Sequence, residues 1–235
     1  MDSALALLAA LAATGFAADL WLDYRRRRRP HITAFGAGMT MFAIATWAFY
    51  LGLTLGWTGP LYRTFYLFGA ILNIPFLALG SMFLVVGRRS GHVMAIALGA
   101  LTTISTTLTA TVEFANPLPE TGVPHEVFAS GFGPRLFAVI GGATGSTILV
   151  ILALVSAFRF WRKNRNIVWG NLLIVAGTLA AASGGTGLAL GESSAFAVSL
   201  LSAVTLIWAG YRVASGGRRA SRRNEEGALA AQPPM

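Results

Sequence analysis

Long apolar runs separated by short arginine clusters dominate this chain. Seven runs stand out, near residues 3–22, 32–56, 64–86, 92–113, 133–158, 167–190 and 193–213. Each approaches the ~20 residues a helix needs to cross a ~30 Å hydrocarbon core. The only acids inside these limits are Asp19 and Glu113, both near the end of a run. Backbone in lipid must satisfy its own hydrogen bonds, so the runs predict helices rather than open strands. The expected fold is all-α, a polytopic seven-helix transmembrane bundle over residues 1–213. The remainder, 214–235, is small and polar and predicts a disordered basic tail.

The connections between runs alternate in charge. Arg25 to Arg29 follow the first run, Arg88 and Arg89 the third, and Arg159, Arg162, Lys163 and Arg165 the fifth. Arg212, Arg218, Arg219, Arg222 and Arg223 follow or close the seventh. Of 18 basic residues, all but Arg63 and Arg135 therefore fall on one side. The positive-inside rule places that side in the cytoplasm, with the amino terminus outside and the carboxyl terminus inside a cell (plasma or inner) membrane. The five consecutive arginines read as a topology determinant facing anionic lipid headgroups, worth about 1 kcal/mol per residue near the surface. The first run carries Asp2 before it and the positive block after it, the reverse of a secretory signal peptide. It predicts a retained anchor.

Composition narrows the classes further. Charged residues make up 11% of the chain and hydrophobic residues 55%, against about 25% charged in soluble domains. That leaves little soluble mass for a nucleic-acid-binding face despite the net charge of +9. The absence of cysteine removes disulfides, thiol catalysis and thioether-linked haem. His31, His92 and His125 show no metal-ligand or bis-histidine haem spacing. Lys163, the only lysine, lies in a connection, so no Schiff base to retinal is available in the last run. No nucleophile and base stand together, and no enzyme activity, metal or cofactor is expected.

A faint internal repeat is present. Gly52–Gly56 (GLTLG) recurs as GLALG at 187–191, and Gly80 with Gly87-Arg88-Arg89 answers Gly210 with Gly217-Arg218-Arg219. Runs 1–3 and 5–7 would then be parallel three-helix units joined by run 4. This 3+1+3 arrangement resembles that of the SWEET transporters. The resemblance stops at architecture: the Pro-Gln of PQ-loop spans is missing, since the sole glutamine is Gln232. The family is not assigned.

Candidate chemistry concentrates in runs 3 and 4. Tyr62, Tyr66, Gly69 and Asn73 are spaced as one helical stripe, flanked by Arg63 and followed by Pro75. Thr102, Thr106, Thr109 and Glu113 repeat that spacing. The expected site is an outward-open cavity binding a small solute through Tyr62, Tyr66, Asn73, Thr106 and Thr109, ringed by Arg63, Arg135, Glu113 and Glu192. Polar groups at membrane depth often mark a solute path. They also pack: threonine hydroxyls bond their own helix and cross-helix bonds act as modest glue. GGATGST at 141–147 and ASGGTG at 182–187 predict close helix packing. Asp19 and Asp23 are expected to pair with the adjacent arginines. The proline-rich loop 114–132 is a candidate lid. Two functions follow: solute binding or transport, and a sensor or scaffold acting through a protein partner.

Overall fold

The computed structural model describes residues 2–119, 122, 124, 127–129, 132–189 and 193–230, and side chains among these outside 186–189 and 217–230. Seven helices are long and apolar enough to cross a membrane. They are helix 1 (Asp2–Arg27), helix 2 (Pro30–Leu55), helix 3 (Gly59–Val85), helix 4 (Arg88–Thr111), helix 5 (Pro134–Phe160), helix 6 (Arg165–Ala189) and helix 7 (Ser193–Ala230). No strand occurs among the described residues. The apolar runs thus located all seven helices. Their ends differ because helix geometry does not stop where polarity begins. Helix 1 continues through Arg25, Arg26 and Arg27, whose charges suit the negative end of a helix dipole. Helix 7 continues to Ala230, through residues expected to be irregular. That stretch is rich in Ala, Arg and Glu and meets no proline before Pro233.

Contacts between helices close a circuit in the order 1, 2, 3, 5, 6, 7 and back to 1. Helix 4 lies outside it, against helices 3 and 5. Burial follows: 61% of the apolar stretch of helix 2 is buried, but only 17% of that of helix 4. Turns are set by conformation as well as composition. Gly56 and Gly87 adopt φ of +88° and +125°, which a side chain would strain. Arg29 and Pro30 then start helix 2, with proline at a first-turn position where its missing N–H costs nothing.

Two devices hold helix 1. Its buried face, Ala6, Ala9, Ala10, Ala13, Phe16, Ala17 and Leu20, repeats every three to four residues and lets neighbours approach closely. Against helix 2, Trp21 Nε1 donates to Thr40 Oγ1 and Trp47 Nε1 to Thr14 Oγ1, both at 3.0 Å. Each threonine in turn donates to a carbonyl of its own helix, so the indoles find partners without orphaning a hydroxyl. Against helix 7, polar bonds form at both ends. Ser193 and Ser194 donate to Asp2 at one end. At the other, Asp19 accepts from Trp208 Nε1 at 3.0 Å and from Arg212 at 3.0 Å, and Tyr211 donates to Asp23 at 3.0 Å. Asp19 therefore pairs across to helix 7 and not within the adjacent arginine block. Residues 25–29 lie further along helix 1 and its turn, whereas Arg212 lies alongside.

Helices 6 and 7 pack most closely, as the small-residue pattern predicts. Gly170, Gly177 and Gly184 recur every seven residues on helix 6. A Cβ at Gly170 would lie 2.6 Å from the Gly210 carbonyl oxygen, and one at Gly210 would lie 2.6 Å from that of Gly170. At Gly177 it would meet Ile207 Cγ1 at 2.6 Å, and at Gly184 the Ser199 hydroxyl at 2.0 Å. The seam is backbone on backbone, an arrangement only glycine permits there.

Candidate functional site

Helix 3 is interrupted where the site begins. Gly59–Phe65 is α-helical, Tyr66–Leu72 is π-helical, and α-helix resumes at Asn73–Val85. The Asn73 N–H bonds the Phe68 carbonyl, five residues back. Pro75 supplies the cause. It has no N–H to give the Ile71 carbonyl, and its ring crowds that oxygen. Neighbouring helices close over the opened backbone. A Cβ at Gly141 would sit 2.5 Å from the Ile71 oxygen, and one at Gly145 would sit 2.9 Å from the Pro75 nitrogen. Glycine at these positions lets helix 5 approach the freed carbonyl where a methyl group would clash. Gly38 of helix 2 approaches the Asn73 carbonyl in the same way.

Tyr62, Arg63 and Tyr66 lie at the start of helix 3, the end of the bundle remote from the arginine clusters. Tyr62, only 2% exposed, packs among Trp57, Tyr66, Phe114 and Phe128 with ring centroids 5.4 to 6.1 Å apart. Phe128 and Val127 come from the proline-rich connection and are 1% exposed. The connection is pinned at several points. Ala115 N–H donates to the Val127 carbonyl at 2.8 Å, and Trp57 Nε1 to the Gly122 carbonyl at 2.8 Å. Val127 and Phe128 of this connection thus cover that end of the bundle. Where an outward-open mouth was expected, the described residues show aromatic side chains filling it.

Arg63 joins the two polar stripes. Its guanidinium donates to the Thr109 carbonyl, in the last turn of helix 4, and lies 4.4 Å from the Phe114 ring centroid and 5.8 Å from that of Phe128. A cation held over two rings and on a helix-terminal carbonyl is favoured by the ring quadrupole and by the helix dipole. Arg135 stands in the first turn of helix 5, which packs against the Tyr66–Leu72 segment of helix 3. Beside them Thr109 is 1% exposed, and its hydroxyl is the one buried side-chain polar atom without a hydrogen-bond partner among the described residues. An unpaired buried hydroxyl costs about 1–3 kcal/mol.

Of the sequence-predicted residues, Tyr62, Arg63, Tyr66, Thr109 and Arg135 thus converge. Asn73 is buried at 4% but deeper, and its side-chain oxygen accepts the Ile74 N–H at 2.6 Å. Thr106 does not join them. It is exposed, because the buried face of helix 4 runs through Leu98, Ser105 and Thr109 rather than along the 102–106–109 line. Glu113 is exposed just past the helix end, and Arg63 bonds the Thr109 carbonyl rather than Glu113. Glu192 and His125 lie outside the described residues. Phe114, Val127 and Phe128 were not anticipated. Their signal was the presence of large apolar residues in a connection rich in proline and polar residues. The buried pair Asn171 and Ser156, bonded at 3.0 Å between helices 6 and 5, was also missed.

Comparison of the chain with protein families, with curated proteins and with solved structures gives no match. What the fold defines is an all-helical chain with seven helices able to cross a membrane, compatible with a multi-pass membrane protein.

Proposed function

We propose that this protein binds a small solute beneath the proline-rich connection and admits it by movement of helix 3, as a transporter or solute receptor of a cell membrane. The observation that carries the proposal is the π-helical segment ending at buried Asn73 and Pro75. Such segments have weaker backbone bonding than α-helix and frequently occur at functional sites. Here one adjoins the polar cluster of Tyr62, Arg63, Tyr66, Thr109 and Arg135 under a docked loop. The unpartnered Thr109 hydroxyl and the arginines suit a solute with a hydrogen-bonding, negatively charged group, and the aromatic faces suit an apolar body. The conformation described is then the closed one, with Phe128 over the site. Arginine-rich connections support an orientation with this end outside and the carboxyl terminus in the cytoplasm. The contact circuit supports the 3+1+3 repeat: exchanging helices 1–3 with 5–7 turns the 1–7 contact into the 5–3 contact.

The chain lacks cysteine, so single cysteines at Asn73, Thr109 and Glu113 can be labelled in intact cells with a membrane-impermeant thiol reagent. Thr106, on the outward face of helix 4, is the control. Labelling at 113, slower labelling at 109 and 73, and none at 106 is expected. Labelling at 113 alone would overturn the proposal.

A second reading has its own support. The exposed face of helix 4 carries Gly99, Thr103, Thr107 and Thr111 at four-residue steps, and each of the three hydroxyls bonds its own helix. A smooth small-residue face suits docking of a partner's transmembrane helix, as in a scaffold. Crosslinking from Thr103→Cys to another protein, with no labelling at 73 or 109, would favour that reading.

A further inference from the structure

A pocket lies at the arginine-rich end, about 320 Å³ in volume and lined by Arg29, Pro30, His31, Phe83, Leu84 and Arg88. It is assembled from two connections distant in sequence. Arg29 and Pro30 close the turn from helix 1 to helix 2, and Arg88 opens helix 4 after Gly87. The positive φ of Gly87 turns the chain so that Arg88 comes beside Phe83 and Leu84. Phe83 is held from behind: Gly91 passes so close that a Cβ there would lie 2.2 Å from the ring, and His92 meets it edge-on at 5.3 Å. The lining therefore has a fixed apolar side and a cationic side. It contains no carboxylate, so the attraction of its two guanidinium groups is not met by an acid of the lining itself. Leu84 exposes 37% of its surface, an apolar edge by which the pocket opens toward lipid.

We infer that this pocket binds the headgroup of an anionic phospholipid, the phosphate between Arg29 and Arg88 and an acyl chain leaving past Leu84 toward the middle of the membrane. Arginine matches phosphate because its planar fork presents paired donors. The apolar wall distinguishes a lipid from a soluble anion, which would gain nothing from Phe83 and Leu84. This is a defined site for one lipid, distinct from the diffuse attraction of the whole basic face to an anionic leaflet.

Native mass spectrometry of the full chain in detergent, titrated with phosphatidylglycerol, tests it. Wild type is expected to retain one phosphatidylglycerol, and phosphatidylcholine is expected to bind at least fivefold more weakly. Arg29→Gln with Arg88→Gln is expected to lower retention at least fivefold. The charge-matched pair Arg28→Gln with Arg89→Gln, adjacent in the same connections but outside the lining, should leave it within twofold. All four arginines are exposed, so neither pair removes packing. On wild type alone, short-chain phosphatidylglycerol should displace the bound lipid and millimolar inorganic phosphate should not. Equal loss in both variant pairs would overturn the site in favour of general charge. Displacement by inorganic phosphate would overturn the lipid in favour of a soluble anion.

Discussion

Gly170→Ala should separate helices 6 and 7. The added Cβ would lie 2.6 Å from the Gly210 carbonyl oxygen and 2.7 Å from both the Cβ and the nitrogen of Ala214. Two of those three atoms are backbone, so no rotamer change relieves the clash. Restoring an ordinary contact moves the helices apart by roughly 1 Å, and a gap of that order forfeits about a quarter to a half of each dispersion contact along the seam. Overpacking of this kind costs about 1–3 kcal/mol. Alanine regains about 1 kcal/mol of intrinsic helix preference, so the net expectation is a loss of about 0–2 kcal/mol. Gly99→Ala is the matched control. It is also mid-helix, but nothing lies within 4 Å of its added Cβ, so it should stabilise by up to about 1 kcal/mol. Both can be read by unfolding in mixed micelles with rising SDS, followed by the fluorescence of the 6 tryptophans. Adding Gly210→Ala should cost less than the first substitution, because the helices are already apart. Equal stabilisation by Gly170→Ala and Gly99→Ala would refute the close seam.

Other expectations follow from single contacts. Thr109→Val removes an unpartnered buried hydroxyl at nearly constant volume and should raise stability by about 1 kcal/mol in the same assay; a loss of that size would mean the hydroxyl is bonded. Asp19→Asn should cost under about 1 kcal/mol, since the Arg212 side chain is 65% exposed and the pair is screened by solvent. A fluorescent protein fused after residue 230 should fold and fluoresce in cells, and alkaline phosphatase fused there should be inactive; the converse pair would invert the proposed orientation.

All seven helices were legible in the sequence because a long apolar run has one stable solution in lipid. The small-residue runs at 141–147 and 182–187 announced close packing, seen at Gly141, Gly145 and Gly184, but Gly170 and Gly177 of the same seam stand among large residues and were not read. The site was half legible. Four-residue spacing placed Tyr62, Tyr66 and Asn73 on one face, but Thr106 and Thr109 differ by a rotation small enough that only the packing of helix 4 decides which is buried. The π-helix was not read at all. Pro75 foretold a weakened helix, yet the extra residue that it accommodates depends on Gly38 and Gly141 arriving from other helices. Asp19 was expected to pair with the arginines that follow it, and only the return of helix 7 to helix 1 brings Arg212 to it instead.

If helix 3 moves at its π-helical segment to uncover the site, the stiffness of that segment sets how fast the site opens. The most direct measurement is the rate at which an impermeant thiol reagent labels Thr109→Cys, compared with the same cysteine in a Pro75→Ala background. Alanine at 75 supplies the missing N–H and stiffens the helix. A slower rate, by fivefold or more, is the result the account predicts, with Glu113→Cys labelled equally in both backgrounds. An unchanged rate at 109 would contradict it.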